Sequence, residues 1–179
     1  MGIALGAACG FRVFVPLVIM SIASLTGHLN LSPGFEWIGT IPSLIAFGTA
    51  TVLEILAYYI PWLDHLLDTV ATPAAVVAGI IVSASTFVEV SPMVRWILAV
   101  VAGGGVAGIV QGATVLARVK STAVSAGLAN PIVATGELVG SLCTSLLAIA
   151  VPVLCLILIA LGVYFITRSA GHFVFGRHL

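Results

Sequence analysis

Charge is what this chain of 179 residues has least of: six Lys or Arg and six Asp or Glu, 7% of the sequence, with a formal net charge of zero. Soluble domains carry charge on about a quarter of their residues, so this supply excludes a water-facing surface over most of the molecule. It also excludes a nucleic-acid footprint, which needs a clustered Lys/Arg face. Cysteine is scarce as well. Cys9, Cys143 and Cys155 are odd in number, lie in apolar stretches and form no CxxC or His-linked spacing. They read as buried thiols, neither a disulfide framework nor a metal site, and they point to no redox compartment. No GxSxG, HExxH, Walker or dinucleotide pattern is present, so neither an enzyme nor a cofactor is expected.

What is abundant is hydrocarbon: 61% of residues are hydrophobic and the mean hydropathy is +1.28. The expectation is an all-α, polytopic transmembrane helix bundle forming a single integral membrane domain over residues 1–179. A crossing takes roughly 20 apolar residues, so the length allows about five, six if the last run divides.

The first run, residues 2–25, starts without a basic segment and carries Arg12, so it reads as a retained helix and not a signal peptide. Its interruptions at Gly10-Phe11-Arg12 and at Pro16 predict a kinked or locally unwound helix. A polar loop, 26–39, follows. The second crossing starts near Pro42 and reaches Tyr58, Tyr59 and Trp62, aromatics suited to the headgroup belt. Asp64, His65 and Asp68 come next in a short amphipathic stretch. Thr72-Pro73 reads as the cap and first turn of a third crossing, 74–88.

The fourth crossing, 93–117, contains Gly103-Gly104-Gly105 and Gly108, residues that permit close helix contact or a local break. A loop is read at 120–131. As one helix the apolar stretch 131–168 would be about 55 Å long, well beyond a hydrocarbon core of about 30 Å. Either 132–141 lies at the interface or the run breaks near Pro152. Five crossings put Arg118 and Lys120 opposite Arg95, Arg168 and Arg177, which leaves orientation undetermined.

Against this background the intramembrane charges are the strongest functional signal. A charge at bilayer depth costs about 2.5–3.5 kcal/mol on insertion scales and persists where it is paired, faces a cavity or serves a mechanism. Arg12, Glu54, Arg118 and Glu137 are such charges. Residues 54, 58, 61, 65 and 68 keep Glu54, Tyr58, Pro61, His65 and Asp68 within about an 80° sector if one helix runs through them. Such a stripe could relay protons or hold a cation, whereas a helix broken at Pro61 would scramble it. Asp64, His65 and Asp68 form a candidate interfacial ion site, although two acids and one His are a weak metal signal. Ser141, Thr144 and Ser145 fit helix packing better than a nucleophile.

Residues 2–13 and 108–119 also echo one another, matching at Gly2/Gly108, Ile3/Ile109, Gly6/Gly112, Ala7/Ala113, Arg12/Arg118 and Val13/Val119. Three crossings separate the start of the first from the fourth, so the copies would run in opposite directions, as in the inverted repeats of transporters. The halves would be 1–90 and 93–170, with each Arg paired to one Glu.

Gly10-Phe11-Arg12-Val13-Phe14-Val15-Pro16-Leu17, the run from Glu54 to Asp64, Asp68-Thr69-Val70-Ala71-Thr72-Pro73-Ala74 and Gly127-Leu128-Ala129-Asn130-Pro131 together resemble the domain of unknown function 4126 family of small multi-pass bacterial membrane proteins. The resemblance spans nearly the whole chain. It implies a bacterial plasma (inner) membrane location and carries no assigned activity or site residue. An acid often follows the Glu137 position in that family, and Leu138 stands here, which weakens any metal site at that point.

The expected function is a small transporter or channel for an ion or small solute. Arg12, Glu54, Tyr58, Arg118 and Glu137 would lie on the pathway, and a homo-oligomer is expected because five thin helices enclose little volume. The alternatives are a non-transporting scaffold or partner subunit, in which the charges are structural pairs, and a lipid-binding protein. The bilayer is a partner in each case.

Overall fold

Prolines and a broken first helix set the layout of this computed structural model, which describes residues 1–60 and 64–175, the side chains of 64–66, 163 and 165–175 excepted. Among the described residues all regular structure is helical: α1 Gly2–Phe11, α2 Val15–Leu25, a 3-10 turn Glu36–Gly39, α3 Ile41–Tyr58, α4 Asp64–Thr86, α5 Pro92–Leu98, a π-helical turn Ala99–Gly104, α6 Gly105–Ser125, α7 Asn130–Ala150 and α8 Pro152–Phe175. Through the π turn, α5 and α6 form one 34-residue rod, Pro92–Ser125, leaving seven helical rods. Proline occupies the first turn of α2, α3, α5 and α7, where its missing N–H has no helical partner to lose.

Four of these helices, Ile41–Tyr58, Leu67–Thr86, Pro92–Ser125 and Asn130–Ala150, are long and apolar enough to cross a membrane. Their outward side chains, among them Ile45, Leu53, Val101 and Leu116, are exposed, as lipid contact requires. The chain is thus an all-α protein consistent with a multi-pass membrane protein.

Two sequence expectations shift. The apolar run 131–168 does break, at Val151 (φ −139°, ψ 72°), because the residue before a proline is driven out of the α region. Thr72-Pro73 does not start a helix: α4 begins at Asp64 and carries Pro73 inside it, which is tolerated where neighbouring helices and side chains satisfy the freed backbone. Likewise α6 continues to Ser125, into the loop expected from residue 120.

The largest departure concerns the first run. Between α1 and α2 the backbone leaves the helix, with Arg12 extended at φ −145°, ψ 127°, and the chain then turns back on itself. Two neighbours establish the direction. Gly2 C=O, at the start of α1, accepts from Ser83 Oγ (2.8 Å), and Ser32, beyond α2, donates its N–H to Ser85 C=O (2.8 Å). Both ends of the α1–α2 pair therefore lie at the C-terminal end of α4. Along α7, Arg12 meets Ala134 C=O and Ser141 meets Ala8 C=O, while Ile22 and Ala23 of α2 lie beside Leu146 and Ile149. The pair is a helical hairpin whose tip, residues 12–14, points into the bundle. The expected single kinked crossing over 2–25 is replaced by this hairpin.

α1 is the hub. Gly2, Ala4, Leu5, Gly6, Ala7, Ala8, Cys9 and Gly10 are all buried, because α4, the α5–α6 rod, α7 and α8 surround it. Small residues allow backbones to touch: a Cβ on Gly6 would stand 2.9 Å from Gly103 O, and one on Gly10 2.5 Å from Ala107 O. These contacts also show that α1 and α6 run in the same direction. The two echo segments, 2–13 and 108–119, are therefore parallel, and the inverted relation inferred for them does not hold, since the hairpin reverses the chain once more than the sequence reading supposed.

Substituting Gly103 by Val places a Cβ about where Ser83 Oγ (2.1 Å) and Gly79 O (2.7 Å) already are, whereas a Cβ on Gly105 meets nothing within 4 Å. The Gly103→Val variant is expected to lose roughly 1–3 kcal/mol or more, the usual range for overpacking. Gly105→Ala should be neutral or better, and thermal unfolding in detergent micelles distinguishes the two.

Candidate functional site

A helix break inside an apolar bundle frees backbone groups that water cannot reach, and each such group costs free energy unless it finds a partner. Here the partner comes from α3. Glu54 accepts from Val13 N–H through Oε1 (2.9 Å) and from Phe14 N–H through Oε2 (3.2 Å). The carboxylate caps the N-terminus of α2, where the free amides and the helix dipole both favour negative charge. Val13 and Phe14 were not site candidates from sequence, because their contribution is backbone.

The same break releases Arg12 into the bundle. Its Nη2 donates to Ala134 C=O (2.9 Å) and lies 3.6 Å from Glu137 Oε2. Arg118 forks between two acids, Nη1 to Asp68 Oδ1 and Nη2 to Glu137 Oε2. Tyr58 joins the two cations: the guanidinium carbons of Arg12 and Arg118 stand 4.1 and 3.9 Å from its ring centroid, within cation–π range. Its hydroxyl donates to Asp68 Oδ1 (3.2 Å). Arg12 and Arg118 are 1% and 2% exposed, so these contacts form away from solvent.

All five sequence-predicted pathway residues, Arg12, Glu54, Tyr58, Arg118 and Glu137, thus meet in one place. The pairing differs from two separate Arg–Glu pairs: Glu137 takes both arginines, and Glu54 takes backbone. Of the expected interfacial ion site, Asp68 is buried and belongs to the arginine network, while the side chains of Asp64 and His65 lie outside the described residues. The continuous stripe from Glu54 to Asp68 is not one helix, since α3 ends at Tyr58 and α4 starts at Asp64. The chain reversal nevertheless brings Tyr58 to Asp68. Among the described residues no group of three His, Cys, Asp or Glu is arranged to hold a metal ion.

Sequence reading missed Gln111 and Thr114, both buried on the Arg118 face of α6. Their i, i+3, i+7 spacing with Arg118 is the signal that would have found them. It also missed Asn130, 2% exposed, whose amide donates to Thr122 Oγ1 (3.0 Å) and ties the start of α7 to α6.

Glu54 and Asp68 lie four residues, about 6 Å, inside the facing ends of α3 and α4, while Arg118 and Glu137 lie seven residues, about 10 Å, inside those of α6 and α7. The network therefore sits below one end of the bundle and the hairpin reaches it from the other. A cleft lies on either side. One of about 550 Å³ between α1, α6, α7 and α8 has Glu137 and Thr114 in its wall. The other, about 350 Å³, is bordered by Phe14, Glu54, Tyr58 and Ala74.

A bundle of apolar helices around a hairpin whose tip carries a buried ion network is consistent with a multi-pass membrane protein that has an internal polar site. The chain belongs to the family described as Domain of unknown function (DUF4126), which matches residues 1–171. No curated protein and no solved structure matches it.

Removing one partner of a buried ion pair typically costs about 3–5 kcal/mol, because the other charge is left without compensation. Arg118→Met, which takes one guanidinium from Asp68 and Glu137, is expected to fall in that range in unfolding experiments in nanodiscs. Adding Asp68→Asn to Arg118→Met, with Glu137 kept as the partner of Arg12, should recover much of the loss. Failure of that rescue would show that the arginine acts mainly through its packing on Tyr58.

Proposed function

We propose that this protein is a small membrane transporter or channel for an ion or small solute, working through the site built from Arg12, Glu54, Tyr58, Asp68, Arg118 and Glu137. The observation that carries the reading is the buried network at the tip of a broken helix, flanked by a cleft on either side. Discontinuous helices with charged groups at their free ends are how transporters hold ions and charged substrates inside a membrane. Ionisable side chains are kept there at a cost that ordinary helix packing does not require. Among the described residues, Arg12 Nε and Nη1, Arg118 Nε and Glu137 Oε1 are buried without a hydrogen-bond partner, as in a site with capacity for water or a ligand.

In this reading α3, α4, the α5–α6 rod, α7 and α8 make five crossings, and α1–α2 is a re-entrant hairpin. The protein resides in a bacterial plasma membrane and assembles as a homo-oligomer. A scaffold or partner-subunit role is the second reading. It is favoured by the contact of Glu54 with two backbone amides, which suits a structural cap.

Flux of protons and monovalent ions in proteoliposomes, comparing wild type with folded Glu54→Gln and Glu137→Gln proteins, separates the two. Transport predicts flux that falls at least about tenfold in the variants. A scaffold predicts none in any protein, with lowered stability in the variants. Topology provides an independent test: an N-terminal tag and a cysteine at Pro33 should be reached from one membrane face, and a cysteine at Leu128 from the other. A tag and Pro33 on opposite faces would rule out the hairpin.

A further inference from the structure

The larger cleft has a composition that narrows what the site would accept, provided the transport reading above holds. Apart from Glu137, Thr114, Thr144 and Cys155 its wall is hydrocarbon, including Phe11, Leu158 and Ile159. Its volume of about 550 Å³ falls among small-molecule sites, which run from about 300 to 1,000 Å³, and is far larger than a bare ion needs. Its walls would leave a strongly hydrated solute without hydrogen-bond partners. An occupant therefore has an apolar body.

The polar end of that occupant follows from the network. Of the charged groups in the network, Arg12, Glu54, Asp68, Arg118 and Glu137, it is Glu137 that stands in the wall of this cleft. Glu54 is served by the amides of Val13 and Phe14. Glu137 directs Oε2 to both arginines, and among the described residues its Oε1 has no hydrogen-bond partner although the residue is only 4% exposed. The terminal torsion of a Glu side chain is soft and roughly two-fold, so a small rotation turns Oε1 toward the cleft. Phe11 lies in the same wall, and aromatic rings attract cations.

We infer that the cleft binds an apolar ammonium compound, its cationic head on Glu137 and its hydrocarbon body along α1, α7 and α8. A single apolar body carried on three heads tests this: 4-phenylbutylammonium, 4-phenylbutanol and 4-phenylbutyrate, titrated into the full chain in phosphatidylcholine nanodiscs and followed by calorimetry. The ammonium is expected to bind at least about tenfold tighter than the alcohol, and the carboxylate weakest. Glu137→Gln should erase the preference. Gly136→Leu, at a cleft position where an added Cβ meets nothing within 4 Å, should weaken all three by filling the space without disturbing the ion network.

Equal binding of the three heads, a preference for the carboxylate, no binding at all, or no effect of Gly136→Leu would each overturn the inference. So would displacement of the ammonium probe by phosphatidylethanolamine in the nanodisc, which would make the occupant a lipid headgroup. Binding with the expected preference but without flux would leave the site standing and remove transport; flux without binding would do the reverse.

Discussion

The cap that Glu54 places on the free amides of Val13 and Phe14 is the interaction on which the rest of the architecture depends. A chain can stop a helix and reverse direction inside an apolar bundle only if the released backbone groups find partners. The carboxylate answers that need from a different helix and so fixes two things together. It holds the hairpin tip in place, and it anchors α3, whose only buried residues are Glu54 and Tyr58. An otherwise peripheral helix is docked by its polar side chains, the reverse of a water-soluble bundle, where apolar contact docks and polar groups face out.

With the tip fixed, Arg12 is 1% exposed and finds its charge compensation inside. The solution is shared: Glu137 serves both arginines, Asp68 completes the fork of Arg118, and Tyr58 offers its ring to each cation. Sharing makes the cluster a unit, in which loss of one member unbalances the others. Among the described residues it also leaves atoms of Arg12, Arg118 and Glu137 without hydrogen-bond partners, since one carboxylate oxygen cannot satisfy two guanidiniums fully. A network both necessary to the fold and incompletely satisfied links the structural and functional readings of the same residues. The close packing of Gly6, Gly79 and Gly103 holds the helices that carry the cluster at backbone contact, so its geometry is set by rigid rods.

Much of this was legible from residue type. Each charge in an apolar run costs enough that its presence alone marks Arg12, Glu54, Arg118 and Glu137, and the turn prolines mark most helix starts. Pro73 misled because proline inside a helix keeps its place when neighbouring helices and side chains compensate. Asp68 misled because it sits among acidic and polar neighbours that look interfacial. Its burial is decided by Arg118, 50 positions away in sequence. Val13 and Phe14 were invisible because an amide N–H is common to every residue except proline.

The sequence by itself determined the membrane-type composition, the helical class, the break near Arg12 and the identity of most residues in the ion network, because these follow from local hydropathy, proline chemistry and the cost of isolated charge. Only the tertiary structure decided that α2 returns beside α1, that the two Arg-bearing segments run parallel and that both arginines converge on one Glu. Direction after a break depends on which distant groups satisfy the freed backbone and charges, and that partner choice is a property of the packed bundle, not of any stretch of chain.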